Sequence, residues 1–172
     1  MEERTGVVTV KGKPVTLLGP EIRVGDKAPD FRVVDTSMAP VTLGDFRGKV
    51  KVISVVTSLD TAVCDVETRR FNQEAAKLPG DVVVLTISLD LPFAQKRWCA
   101  GSGVDKVKVL SDYQERSFAA AYGVMIRELK LLARSIFVVD GKDVVRYIQR
   151  VPENGQEPDY GAVLAAVKGI TG

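Results

Sequence analysis

Histidine is absent from the 172-residue chain, and cysteine occurs only twice, at Cys64 and Cys99. The missing imidazole excludes Ser-His-Asp and Cys-His catalysis, because both mechanisms use histidine as the general base. Two cysteines without a histidine also cannot complete the usual tetrahedral zinc sites. An all-carboxylate metal site is the remaining option, but the sequence has no clustered acidic motif for one. We therefore expect no metal.

The chain also lacks a strong charge of one sign and any long hydrophobic run. It has 24 basic and 22 acidic residues, whereas a nucleic-acid surface needs a basic excess on one face. The longest apolar stretches, such as Val52–Val56 and Val82–Ile87, are too short to span a membrane. Met1–Gly6 is charged and precedes no apolar run of signal length. We expect a cytoplasmic protein without nucleic-acid or membrane partners, in which a cysteine pair indicates redox chemistry.

The hydrophobic fraction of 45% and the absence of repeats or linkers predict a single domain over residues 1–172. Residues 1–19 are predicted to form a β-hairpin, because two β-branched runs flank Lys11–Pro14. Alternating strands and helices follow, which is typical of an α/β sandwich with a mainly parallel sheet and gives the outline of a thioredoxin-like fold. A second hairpin, around Asp140–Asp143, adds antiparallel strands at one side. The predicted core strands are 50–57, 81–88, 107–110, 135–139 and 144–150, and the predicted helices are 61–77, one beginning at 92, 114–122 and 159–169.

Cys64 is predicted in the first turn of a helix that follows a buried strand. The N–H groups and the dipole of a helix favour a thiolate at this place. A helix terminus contributes about 0.3–1 kcal/mol, which is less than about one pKa unit, while a free thiol titrates near about 8.5. Asp65 and Glu67 oppose the thiolate, and Arg69 and Arg70 point away from Cys64 at helical spacing. A thiolate that predominates at neutral pH therefore needs a cation from elsewhere in the chain.

A second interpretation of the same residues involves no chemistry. A buried cysteine often behaves as a small hydrophobic side chain, and Thr61 can serve as an ordinary helix N-cap. Phe93 and Trp98 fit the apolar face of the helix that carries Cys99, so we predict both as core residues. Taken alone, these residues leave a non-catalytic binding domain open.

Longer segments surround both cysteines. Ser58–Cys64 (SLDTAVC) contains a Thr-x-x-Cys element and continues into Thr68–Asn72 (TRRFN). Asp90–Cys99 (DLPFAQKRWC) holds the second cysteine, and Ala133–Asp140 (ARSIFVVD) lies further along the chain. Together these segments closely resemble the thiol peroxidase branch of the peroxiredoxin superfamily, an atypical 2-Cys group. Thr-x-x-Cys alone is weak evidence, whereas the two cysteine segments together are highly specific, and the resemblance covers nearly the whole chain.

The resemblance implies roles for four residues. Cys64 resembles the peroxidatic cysteine, and Cys99 resembles the resolving cysteine of the same subunit. Thr61 resembles the residue whose hydroxyl accompanies the thiol and the peroxide, and Arg134 resembles the cation that favours the thiolate. The implied reaction reduces hydrogen peroxide and organic hydroperoxides to water and alcohols through a Cys64 sulfenic acid and an intramolecular Cys64–Cys99 disulfide. Thioredoxin is the implied reductant and a homodimer the implied assembly, without metal, haem or flavin.

One position departs from the family pattern. The superfamily has a proline four residues before the threonine, where this chain has Thr57. Threonine adds a hydrogen-bond donor and frees the backbone angle φ, so the family pattern does not fix the rigidity of the pocket wall here, and we expect activity to be retained.

A disulfide oxidoreductase without a peroxidase step is the enzymatic alternative. Such a protein is expected to carry Cys-x-x-Cys, whereas the two cysteines here are 35 positions apart.

Because Cys64 and Cys99 are predicted on different helices, we expect their sulfur atoms to be separated in the reduced protein. The disulfide would then require local unwinding, since its Cα atoms must come within about 7 Å.

Overall fold

A computed structural model describes residues 1–171 of the chain. The strands are β1 (Glu3–Val10), β2 (Lys13–Leu18), β3 (Arg32–Val34), β4 (Pro40–Thr42), β5 (Val50–Val55), β6 (Val82–Ser88), β7 (Lys108–Ser111), β8 (Met125–Ile126), β9 (Leu131–Leu132), β10 (Ser135–Val139) and β11 (Val145–Arg150). The α-helices are α1 (Ala62–Ala75), α2 (Pro92–Ser102), α3 (Ser117–Tyr122) and α4 (Tyr160–Thr171), and a 3-10 helix spans Leu43–Phe46. The predicted α/β arrangement with an N-terminal hairpin is confirmed.

The larger sheet has the strand order β11-β10-β5-β6-β7-β3-β4. Only β5, β6 and β7 are parallel to one another, because helices α1 and α2 connect them as crossovers. The pairs β10–β11 and β3–β4 are hairpins and are therefore antiparallel, and β10 also pairs with β5 in this sense. The predicted mainly parallel sheet is wrong in this respect, since antiparallel pairings outnumber parallel ones.

The smaller sheet has the order β1-β2-β8-β9. Strands β8 and β9 have two residues each, which is too short to show the alternation that predicts a strand. Val8 and Leu17 of the hairpin pack with Ile126 and Ala133 in a buried cluster. The hairpin is thereby anchored beside the segment that enters β10.

Strand β5 lies at the centre of the larger sheet and is buried along its whole length. Ile53 and Val55 pack in the same core as Phe118 of α3. Val52 lies in the opposite core, which also contains Cys64 of α1. The alternation of strand side chains thus directs β5 into two cores, and the carboxyl end of β5 leads directly towards α1.

Three helix boundaries differ from the predicted ones by two or more residues, and one of them is the end of α4, which lies at Thr171 rather than at residue 169. Helix α3 begins at Ser117 rather than at Gln114, because Arg116 has a left-handed backbone (φ 52°). The Asp112 carboxylate accepts the N–H groups of Phe118 and Ala119 at 3.2 and 2.8 Å, which caps the shortened helix. Helix α1 ends at Ala75, two residues before the predicted end.

Candidate active site

Cys64 is the third residue of α1, and its side chain is fully buried. The loop before α1 turns back on itself, because the Thr61 N–H donates to the carbonyl of Ser58 at 3.1 Å. The predicted position in the first helical turn after a buried strand is confirmed. The thiol therefore lies at the positive end of α1.

Arg134 supplies the cation that the sequence required from elsewhere in the chain. It immediately precedes β10, is 2% exposed, and its Nη2 lies 3.2 Å from Sγ of Cys64. A donor at this distance favours a negative sulfur over a neutral one. The structure thus brings together Cys64 and Arg134, which are 70 positions apart in the sequence.

Glu67 is a site residue that the sequence analysis missed. It lies three positions after Cys64 on the same face of α1 and is fully buried, and its Oε2 accepts a hydrogen bond from Nη1 of Arg134 at 3.1 Å. Burial raises the pKa of Glu67 to about 7, an effect that the neighbouring Arg134 partly offsets. One guanidinium therefore contacts two acidic groups, a thiol and a carboxyl. The spacing of three residues indicates that Glu67 lies on the same helix face as Cys64, but the contact with Arg134 has no signal in the sequence.

Asn154 holds Arg134 in place and was also missed. Its side-chain Oδ1 accepts the backbone N–H of Arg134 at 2.7 Å, and its carbonyl accepts Nε of Arg134 at 2.9 Å. The side-chain Nδ2 of Asn154 donates to the hydroxyl of Thr57 at 2.9 Å. Nothing in the local sequence around Asn154 predicts these contacts, because they join three distant segments.

Thr61 precedes α1, and its side chain does not cap the helix. The hydroxyl instead donates to the carbonyl of Ser58 at 2.8 Å, which leaves the lone pairs of its oxygen free to accept a hydrogen bond. Thr61 lines a cavity of about 210 Å³ together with Arg134. The other residues that line this cavity are Val10, Lys11, Thr57, Ala62, Val63, Glu153, Asn154 and Gly155.

Cys99 lies in the last turn of α2 and is half-buried. Both cysteines are free thiols, and burial raises the pKa of the Cys99 thiol. Cys99 lines a second cavity, of about 400 Å³, that shares no lining residue with the cavity beside Arg134. The need for movement before a disulfide forms stays a prediction.

Two hydrogen bonds connect the cysteine-bearing helices α1 and α2. Nε1 of Trp98 donates to Oδ1 of Asp65 at 2.9 Å, and Nη1 of Arg69 donates to the carbonyl of Ser102 at 3.2 Å. Trp98 packs partly buried against the core that contains Cys64. Phe93 is 68% exposed, so its prediction as a core residue is wrong. It occupies the solvent-facing side of the first turn of α2.

Within residues 1–171, no three His, Cys, Asp or Glu side chains are grouped so that they could hold a metal ion. No helix in the same part of the chain combines the length and the apolar character needed to cross a membrane.

The chain is similar in sequence and in structure to known proteins. The family model described as Redoxin matches residues 23–164. The chain is 56% identical to a thiol peroxidase of Halalkalibacterium halodurans, over 94% of this chain and 96% of that protein. It is 55% identical to a thiol peroxidase of Bacillus subtilis, over 95% and 97% of the two chains. A peroxiredoxin-like protein from Aquifex aeolicus superposes with a TM-score of 0.91 at 42% identity, over 99% of each chain.

Proposed function

The chain belongs to the Redoxin family and is a thiol peroxidase of the peroxiredoxin type with a thioredoxin-like fold, and we propose that Cys64 is the residue that attacks the peroxide. The single observation that carries this proposal is the 3.2 Å contact between Nη2 of Arg134 and Sγ of Cys64. A structural cysteine in an apolar core gains nothing from a buried guanidinium. A nucleophilic thiolate needs one, because the helix terminus alone is too weak.

In the first step, the Cys64 thiolate attacks the distal oxygen of a hydroperoxide. The S–O bond forms as the O–O bond breaks, and the leaving alkoxide takes a proton to become an alcohol, or water when the substrate is hydrogen peroxide. Arg134 stabilises the negative charge that passes from sulfur to oxygen. Thr61 accepts the hydrogen bond of the peroxide O–H, because its own proton is held by the carbonyl of Ser58.

In the second step, Cys99 attacks the sulfur of the Cys64 sulfenic acid. The S–S bond forms, the S–O bond breaks, and the hydroxyl leaves as water. Cys99 must be deprotonated to act as the nucleophile, yet burial raises its pKa. Unwinding of the last turn of α2 would remove this burial and would also carry Cys99 towards Cys64.

The disulfide is then reduced by a dithiol protein, which supplies two electrons and two protons. From the resemblance to the thiol peroxidase branch, we take this reductant to be thioredoxin. The same resemblance leads us to propose a homodimer, a cytoplasmic location and substrates that include hydrogen peroxide and organic hydroperoxides. Sedimentation of the reduced protein tests the dimer directly.

Peroxide consumption in the presence of a thioredoxin system tests the proposed function. The wild-type protein should consume hydrogen peroxide and a bulky organic hydroperoxide, and Cys64→Ser should consume neither. Cys99→Ser should reduce about one equivalent of peroxide per chain and then stop, since it lacks the second thiol. Substantial turnover by Cys64→Ser would contradict the proposal.

A further inference from the structure

Thr57 occupies a buried position near the start of the segment that leads from β5 to α1. It is 8% exposed, and its hydroxyl acts both as a hydrogen-bond donor and as a hydrogen-bond acceptor. The hydroxyl donates to the carbonyl of Leu132 at 2.9 Å and accepts from Nδ2 of Asn154 at 2.9 Å. The side chain therefore joins two segments that are remote from it in the sequence.

Both partners of Thr57 lead directly to Arg134. Leu132 lies two positions before Arg134 on the same segment, so its carbonyl fixes the chain on the entry side. Asn154 accepts two hydrogen bonds from Arg134, one from the backbone N–H and one from Nε. The backbone N–H of Asn154 donates to the carbonyl of Thr9 at 2.8 Å. The side-chain amide of Asn154 is thus held by Thr57 on one side and by the backbone N–H of Arg134 on the other, while the backbone carbonyl of the same residue accepts Nε of the guanidinium.

Burial of a threonine does not by itself create such bonds. Thr86 lies on β6 and is fully buried, and its hydroxyl has no hydrogen-bond partner. The hydroxyl of Thr57 is by contrast fully used, as donor and as acceptor. A proline at position 57, which the superfamily pattern has there, could make neither bond, because its side chain carries no polar atom.

We propose that Thr57 is a positioning residue that acts through Asn154 to hold the Arg134 guanidinium against Sγ of Cys64. The proposal rests on the proposed role of Arg134 in activating Cys64. Removal of the hydroxyl leaves Nδ2 of Asn154 and the carbonyl of Leu132 without a partner in a buried place. The amide then reorients and releases the backbone N–H of Arg134, so the loop moves and the Asn154 carbonyl no longer holds Nε of the guanidinium in a fixed position.

The test measures the titration of the Cys64 thiol, and it is made in a Cys99→Ser background so that Cys64 is the sole cysteine. The ultraviolet absorbance of the thiolate gives the pH at which half of Cys64 is ionised, and stopped-flow mixing with hydrogen peroxide gives the rate of the first oxidation. Thr57→Val should shift that pH upward by about 0.5 unit and slow the oxidation roughly 3- to 10-fold. Thr57→Ser keeps the hydroxyl, so the pH of half-ionisation should return to that of the parent protein. The rate of the first oxidation should return to within about twofold of the parent rate.

Two controls separate positioning from a general loss of packing. Thr86→Val makes the same change at a buried threonine without partners, and it should leave both readings unchanged. In an Arg134→Ala background, Thr57→Val should have no further effect, because the residue through which it acts is gone. If Thr57→Val does not fold, Thr57→Ala provides the same comparison.

The possible outcomes distinguish this inference from the proposed function. An unchanged titration in Thr57→Val, equal losses in Thr57→Val and Thr57→Ser, or full additivity with Arg134→Ala would overturn the positioning role. A wild-type protein that consumes no peroxide, but whose Cys64 titration still responds to Thr57→Val and recovers in Thr57→Ser, would reject the peroxidase proposal and keep the positioning role.

Discussion

At the scale of single residues, we propose that the contact between Arg134 and Cys64 determines the reactivity of the site. Arg134→Ala should raise the pH at which Cys64 ionises, because the donor 3.2 Å from its sulfur is lost. Arg134→Lys should recover part of the charge effect, but not the two-point geometry that contacts Cys64 and Glu67 together. Thiolate absorbance of both variants against pH checks this order. Equal titration of the wild type and Arg134→Ala would mean that another cation acts.

Glu67 should make the stability of the protein depend on pH. Burial raises its pKa to about 7 from the ordinary value of 4.5, although Arg134 opposes the rise and Glu157 adds to it. Between these two values the native state binds more protons than the unfolded state, so the free energy of unfolding falls as pH rises through this window. The stabilisation that Glu67 contributes is complete below its ordinary pKa and is lost above its raised pKa.

Glu67→Gln tests this dependence, because glutamine cannot ionise. Urea denaturation of the reduced proteins gives the free energy of unfolding of the wild type and of the variant. The wild-type value minus the variant value should decrease as pH rises from about 5 to about 8. The difference cancels contributions from groups such as Asp112, whose pKa burial also raises, to about 6. A difference that stays constant or moves the other way would show that Glu67 is ionised throughout.

The residues of the site were predictable to unequal degrees. Cys64 and Thr61 occupy local segments with a recognisable pattern, and Arg134 entered through the resemblance of its segment to the family. Glu67 and Asn154 were missed because their roles come from long-range contacts to Arg134, 67 and 20 positions away. A buried carboxyl or amide has no sequence pattern of its own, so only the folded arrangement reveals it.

At the scale of helices and strands, the contact between α1 and α2 should control how quickly the disulfide forms. Trp98 donates to Asp65, the residue after Cys64, and is itself the residue before Cys99. Trp98→Phe keeps a ring but removes the N–H donor, so α2 should unwind more readily. We expect disulfide formation after one equivalent of peroxide to accelerate roughly 3- to 10-fold, with the first oxidation unchanged.

Rapid quenching followed by mass spectrometry separates the sulfenic acid from the disulfide and measures this step. Phe93→Leu is the matched control, because Phe93 lies on the same helix and is exposed. The control should form the disulfide at the wild-type rate. A Trp98→Phe variant that resolves at the wild-type rate would exclude this contact as the barrier to unwinding.

The regular elements were the most predictable part of the fold. Strands β5, β6 and β10 are rich in apolar and β-branched residues, and Pro92 marks the start of α2 as predicted. Strands β8 and β9 were missed because two residues are too few to show a strand pattern. The 3-10 helix was also missed, although Asp45 accepts the backbone N–H of Thr42 in a local capping contact. The mainly parallel sheet was mispredicted because β3 and β4, which are absent from the predicted core strands, extend the sheet in antiparallel pairings, and because β10 pairs with β5 in the same sense.

At the scale of the whole molecule, the N-terminal hairpin reaches the active site through the loop that carries Asn154. The Glu153 carboxylate accepts the N–H of Gly12 at 2.8 Å and the hydroxyl of Thr9 at 3.1 Å. Hydrogen bonds from Gly155 and Gly12 lower the pKa of Glu153. The stabilising effect of this carboxylate is therefore present above its ordinary pKa and is lost as pH falls through the lowered value.

Glu153→Ala should loosen the loop and, with it, Arg134. We expect faster hydrogen exchange at residues 152–155 and a first oxidation slowed roughly threefold, the order of one lost hydrogen bond. Glu2→Ala, at another exposed glutamate in the hairpin region, should change neither reading. Faster exchange without any change in oxidation would show that the hairpin stabilises the loop but does not influence the site.

The central claim is that the Arg134 guanidinium makes Cys64 the residue that reacts with peroxide. It is tested most directly by the second-order rate of Cys64 oxidation in the Cys99→Ser protein, with and without Arg134→Ala, and with trapping of the sulfenic acid for mass spectrometry. We predict a sulfenic acid on Cys64 in both proteins and a rate lower by roughly 10²- to 10³-fold without the guanidinium. Equal rates in the two proteins, or no sulfenic acid on Cys64, would contradict the claim.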